Sequence, residues 1–123
     1  DAALRGAKGV EGSLTVGILP GRNPDGASPF ADVVIATGMG EARNAINVLS
    51  SDVVVACGEG GAGTASEAAL ALKAGKPLVL LAPSSEAAAF FSKIGGAPAA
   101  ESAREALGLA EKARRRPTTR NEA

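Results

Sequence analysis

The residues Gly58-Glu59-Gly60-Gly61-Ala62-Gly63-Thr64 lie between an apolar run, Asp52 to Cys57, and an alanine-rich stretch that begins near Thr64. Glycines at 58, 60, 61 and 63 let the backbone take positive φ values and approach a ligand closely. A helix that follows such a turn offers unpaired N–H groups and the positive end of its dipole to an anion. The chemistry implied is that of a phosphate cradle. A second glycine-bearing turn, Thr37-Gly38-Met39-Gly40, follows another apolar run and leads to Arg43 in the first turn of a predicted helix. A cation there opposes the helix dipole by a few tenths of a kcal/mol. Something negative should compensate, either Glu41 at the surface or a bound phosphate. Asn44 and Asn47 either flank that anion or face water.

Each of these residues also has a plain structural reading. Gly58, Gly60 and Gly63 satisfy the G-x-G-x-x-G spacing of dinucleotide sites. The acidic residue expected at the end of the following strand for a ribose is missing, because that strand ends Ala82-Pro83-Ser84-Ser85. No lysine follows Gly63, which excludes a Walker P-loop. Thr64 and Glu67 have the T-x-x-E spacing of a capping box, in which both side chains satisfy backbone donors. Alternatively Thr64 donates to a phosphate and Glu67 reaches a ribose hydroxyl or polarises a glycosidic bond. Cys57, at the end of its apolar run, reads as a small core residue rather than a nucleophile.

Composition narrows the chemistry further. Histidine is absent and Cys57 is the one cysteine, so imidazole-based catalysis and cysteine- or histidine-built zinc sites are excluded. Thirteen basic residues balance thirteen acidic ones, which gives no bulk field for nucleic acid or a membrane surface. No apolar run approaches the roughly 20 residues of a membrane span, and no signal peptide opens the sequence. The expectation is a soluble cytoplasmic protein.

The elements that must position these residues follow from periodicity. Residues 1–10 read as the end of a helix with Leu4 and Ala7 on one face. Strands are predicted at 14–19, 32–36, 52–57 and 77–81, the last continuously apolar as strands buried on both faces are. Helices are predicted over about 41–50, from Thr64 to Gly75, over 86–94 with Phe90, Phe91 and Ile94 buried, and over 100–113. Alternating strands and helices define a doubly wound α/β fold: a parallel, Rossmann-like sheet with helices on both sides, in three layers. One domain is expected over 1–113, followed by a basic tail, 114–123. Both glycine turns fall at the carboxyl ends of strands, where such sheets bind ligands, and are expected to face one crevice.

Three segments in order, Gly17-Ile18-Leu19-Pro20-Gly21, Thr37 to Asn44 and Gly60 to Glu67, resemble the molybdenum cofactor carrier protein family. That family belongs to the wider Rossmann-like group that includes the LONELY GUY phosphoribohydrolases, once called lysine decarboxylases. The resemblance spans residues up to about 95. It implies a homo-oligomeric carrier, dimer or tetramer, that holds molybdopterin by its terminal phosphate without turning it over. The hydrolase relatives instead cleave nucleoside 5′-monophosphates through P-G-G-x-G-T-x-E-E and an arginine on the preceding helix. Arg43 and Glu67 match that arginine and the final glutamate, whereas Glu59 replaces the motif's proline and Ser66 its first glutamate. Family members also begin with a strand, a glycine-containing phosphate turn, a helix and a further strand ahead of the point that matches Asp1.

The reading that results is a binding protein for a phosphorylated heterocycle, molybdenum cofactor or a nucleotide. Its site comprises Gly38, Met39, Gly40, Arg43 and Asn44 with Gly58, Gly60, Gly61, Ala62, Gly63 and Thr64. Amides of residues 60–64 hold the anion, Arg43 supplies counter-charge and Thr64 a hydroxyl. No metal is ligated by the protein. In the alternative, a nucleoside monophosphate phosphoribohydrolase, Arg43 orients the phosphate and Glu67 stabilises the developing oxocarbenium charge. A third reading is a nucleotide-sensing module that acts through a partner.

Overall fold

The computed structural model describes residues 1–58 and 61–116. They form two compact units, Asp1–Asn47 and a second from Val48 onward. The architecture is mixed α/β with parallel strands, as the strand–helix alternation requires.

In the first unit, helix α1 (Ala2–Lys8) precedes strands β1 (Val16–Leu19) and β2 (Val33–Ala36). Leu4 and Ala7 are the half-buried positions of α1, on one face as the periodicity predicts. The strands pair in parallel with Val16 opposite Val33 and Leu19 opposite Ala36. Asp32 sets this register. Its carboxylate accepts from the Thr15 N–H at 2.9 Å and from Lys8 Nζ at 2.6 Å, while its own N–H donates to Thr15 Oγ1 at 2.9 Å. Between the strands Asn23 opens a short 3₁₀ turn, Pro24–Gly26, by accepting from the Asp25 N–H. Helix α2 (Arg43–Leu49) is entered through a second 3₁₀ turn, Gly40–Ala42.

The second unit contains β3 (Val54–Cys57), α3 (Ala62–Lys73), β4 (Leu78–Leu81), α4 (Ser85–Gly95), β5 (Ala99–Ala100) and α5 (Ala103–Arg114). All three strands are parallel in the order β3-β4-β5, with Val54 opposite Leu78 and Leu80 opposite Ala99. Alternation along β4 assigns the two faces. Leu78 and Leu80 enter a core with Val48, Ala68, Ala71, Phe91 and Ala97, which puts α3 and α4 on one side. Val79 packs with Ala100 and Ala106, and Leu81 and Leu109 border them, which puts α5 on the other. This unit is therefore a three-layer α/β/α sandwich, and β4 is buried on both faces as its unbroken apolarity implies.

Three expectations about these elements are corrected. Of the aromatic face predicted for α4, Phe91 is 7% exposed, but Phe90 and Ile94 are 56% and 52% exposed. The rings of Phe90 and Phe91 meet edge to face at 5.2 Å, so Phe90 covers its neighbour instead of entering the core. Cys57 is exposed at the end of β3, whose alternate residues face outward, and is not a core residue. The two-residue strand β5 has no counterpart in the sequence reading, since Ala99-Ala100 is too short to show a period. Of the predicted tail, Arg114 ends α5 and pairs with Glu111, and residues 117–123 lie outside the described residues.

Candidate functional site

The glycine turn leaves the carboxyl end of β3. Gly58 takes φ +73° there and its N–H donates to Leu81 O at 2.8 Å, so a residue with a side chain would be strained at this position. Gly60 lies outside the described residues, as does Glu59. Helix α3 then starts at Ala62 with Gly61 as its N-cap, two residues earlier than predicted. That overturns the capping box. Thr64 is already the third helical residue, and among the described residues no side chain caps this helix.

The other two long helices make the contrast. Ser84 caps α4 by accepting from the Ala87 N–H, and Ser102 caps α5 by accepting from the Glu105 N–H, each at 3.2 Å. Of these three, α3 alone has no side-chain acceptor at its first-turn amides among the described residues. Such orphan donors call for an external anion or water. A methyl group built on Gly61 or Gly63 would meet nothing of the chain within 4 Å, and neither residue takes a positive φ. The protein's own packing does not require glycine at these two positions. The open side of the turn is where a ligand could lie against the backbone.

A cavity of about 300 Å³ adjoins this helix start. Gly58, Thr64 and Ala65 line it together with Pro83 and Ser84, over a base that includes Leu80 and Phe91. The site thus sits at the carboxyl ends of β3 and β4, between the starts of α3 and α4. Thr64 and Glu67 are both half-buried on α3, with Glu67 in its second turn. The sequence reading missed Pro83 and Ser84 as site residues. The signal was a serine directly ahead of an apolar helix. It also missed Ala82, which takes φ +49° at the end of β4 while its N–H donates to Ala100 O at 2.7 Å. A non-glycine residue in that region costs roughly 1–3 kcal/mol, and nothing about an alanine advertises it.

In the first unit the turn at 37–40 is of a different kind. Gly38 and Gly40 take φ +63° and +56°. The N–H groups of Gly38 and Gly40 donate to Gly21 O and Pro20 O, each at 2.9 Å, and that of Met39 to Thr37 Oγ1 at 3.2 Å. These amides are occupied within the chain, so a ligand would meet the open backbone and the exposed Met39 side chain. Arg43 does not pair with Glu41. Its Nη1 donates to Ile18 O at 3.0 Å, and its buried Nε has no partner among the described residues. Glu41 instead accepts from Nδ2 of buried Asn44 at 3.4 Å, so Asn44 does not face water.

Among the described residues no group of three or more His, Cys, Asp and Glu side chains is placed to hold a metal ion. No helix among them is long and apolar enough to cross a membrane.

Parallel strands with helices on both sides and a glycine-led helix start at the strands' carboxyl ends define a Rossmann-like α/β protein. Within that class, the model of the SLOG cluster4 family matches residues 1–107, and the chain belongs to this family. The molybdenum cofactor binding protein of Rippkaea orientalis is 46% identical, with a TM-score of 0.83 over 89% of this chain and 68% of that one. The Moco carrier protein of Chlamydomonas reinhardtii is 45% identical, with a TM-score of 0.79 over 90% of this chain and 67% of that one. An Archaeoglobus fulgidus protein of uncharacterised function is 52% identical over 83 residues, 68% of this chain. The chain spans about half, 53%, of that relative's length.

Proposed function

We propose that this chain is a carrier that binds the molybdenum cofactor, a pterin with a terminal phosphate, as cargo and does not turn it over. The uncapped start of α3 carries the reading: first-turn amides without a side-chain acceptor, beside open glycines and a small cavity. The similarity to the Rippkaea and Chlamydomonas proteins gives that anion site a cargo. Amides of residues 61–64 take the phosphate, helped by the helix dipole, and the Thr64 hydroxyl donates to it. Gly60 belongs to the same proposal through the sequence alone. A cavity of about 300 Å³ is at the small end of ligand pockets, sized for the phosphate and its nearest atoms. The rest of the heterocycle then lies outside it.

The proposal keeps Gly38, Met39, Gly40, Arg43 and Asn44 as binding residues on the family motif that they match. It also keeps a homo-oligomeric assembly in the cytoplasm. Glu67 has a chemical role only in the phosphoribohydrolase alternative.

The test offers the purified chain first molybdopterin and then AMP. Saturable binding of the pterin, weakened about tenfold or more by Gly63→Asp, with no adenine released from AMP, is the expected result. An aspartate at 63 would place its carboxylate where the phosphate is proposed to sit. Adenine release that Glu67→Ala abolishes, without pterin binding, would replace the carrier with the hydrolase.

A further inference from the structure

A cavity larger than the one at the glycine turn lies elsewhere among the described residues. It encloses about 1050 Å³ at the opposite end of the second unit, where Lys76-Pro77 leads into β4 and Ala97-Pro98 into β5. Four cations line it: Lys73, Lys76, Lys112 and Arg116. Among the described residues no carboxylate does. None of the four makes an ion pair among the described residues, whereas Arg114 and Arg115 nearby are both held by Glu111 at 3.1 Å.

Helix ends account for only part of this charge. The cavity is bounded by the carboxyl-terminal turns of α3, α4 and α5, whose negative dipole ends attract cations. Three such ends amount to roughly −1.5 elementary charges, about half a charge each. Against them stand four full positive charges. The remainder, about +2.5, sits on exposed side chains apart from half-buried Lys76, and charge of one sign lining a cleft raises its potential toward a multiply charged anion.

The other lining residues describe the body of that anion. Leu72, Pro77, Leu78, Ala97, Pro98 and Leu109 are aliphatic. No aromatic ring lines the cavity, so it has no platform on which a nucleobase or pterin could stack. Backbone donors at the mouth are already used, since the N–H groups of Gly75, Lys76, Gly96 and Ala97 donate to Leu72 O, Ala71 O, Ser92 O and Phe91 O. Recognition must therefore come from side-chain charge and aliphatic contact.

We propose that this cavity is a second binding site, separate from the glycine turn, for an aliphatic anion bearing two or more negative charges, such as an alkyl or prenyl diphosphate. The cations hold the diphosphate at the rim, and the aliphatic wall takes the first carbons of the chain. The site does not depend on the cargo proposed above, and its test leaves that reading untouched.

The experiment is titration calorimetry of the full chain with geranyl diphosphate, inorganic pyrophosphate and geraniol. Geranyl diphosphate should saturate one site per chain and bind about tenfold or more tightly than either of its halves. The double reversal Lys76→Glu/Arg116→Glu should weaken it about tenfold or more, as should Lys73→Glu/Lys112→Glu. Circular dichroism checks that both variants stay folded. Equal affinity for pyrophosphate would overturn the role of the aliphatic wall. Unchanged affinity in both folded double variants, or a loss with Gly63→Asp alone, would overturn the site.

Discussion

Arg43 holds a donor that no described residue uses. Its Nη1 is committed to Ile18 O, while the buried Nε faces no acceptor among the described residues. A buried polar group left unpaired costs about 1–3 kcal/mol, more when it is charged. An apolar side chain of similar length removes that cost and gives up the hydrogen bond to Ile18 O, worth about 1.5–3 kcal/mol for a charged donor, so the two changes oppose each other. Arg43→Met should therefore leave the midpoint of denaturant unfolding nearly unchanged, and weaken cargo binding about tenfold or more. Lower stability with full affinity would make Arg43 a purely structural residue. The sequence reading identified Arg43 through its clash with the helix dipole and offered Glu41 or a bound phosphate as its partner, without the bond to Ile18 O. A backbone carbonyl some twenty-five residues back leaves no mark in local spacing.

Asp32 yields a prediction about pH. Hydrogen bonds from Lys8 first, and from the Thr15 N–H and hydroxyl next, lower its carboxyl from 3.8 to about 2. A carboxyl whose pKa is depressed by folding contributes stability that is complete above its unfolded value and is lost as pH falls through the folded one. The clasp between the starts of β1 and β2 should therefore hold above about pH 4 and fail progressively toward pH 2. In Asp32→Asn the acid-unfolding curve should lose that component. If both proteins show the same pH dependence between 4 and 2, the assignment is wrong.

At the scale of elements, long and uniform segments were legible and short or context-dependent ones were not. Four of the five strands follow from apolar runs, and β4 follows in its burial as well, because a strand covered on both faces cannot alternate. The start of α3 was misread, because Thr64 and Glu67 have the spacing of a cap while the glycines ahead of them can also be helical. That error concealed the most useful feature of the candidate site, the missing side-chain cap. On α4, three apolar side chains at compatible spacing looked alike, and packing alone decided which one is buried. Phe91 enters the core with Leu78 and Leu80, so Phe91→Ala should cost about 3–5 kcal/mol. Phe90→Ala removes one edge-to-face contact and should cost about 0.5–1.5 kcal/mol. Chemical denaturation of the two variants tests the assignment. Equal losses would mean that both rings are core residues, as the periodicity alone suggested.

At the scale of the molecule, the two units differ in how they are built, and stability should divide accordingly. In the second unit β4 is covered on both faces, and Val79 at its centre is fully buried. The first has two strands of four residues each, and Val33, Val34 and Ile35 of β2 all remain exposed. An isolated two-stranded pairing is marginal in water because it buries too little apolar surface to offset its ordering entropy. Local opening free energies range from near zero at such places up to the global value in a buried core. Amide hydrogen exchange should therefore show the β1–β2 ladder, including the Thr37 N–H bonded to Leu19 O, exchanging well before the β3–β4 ladder. A bound cargo that contacts Arg43 would raise protection in the first unit in proportion to its saturation, since ligand binding stabilises what it orders. Equal protection of both ladders in the free chain would mean that the two sheets open only together, as one cooperative domain over 1–113. In that case the exposed valines and isoleucine of β2 do not weaken the pairing they belong to.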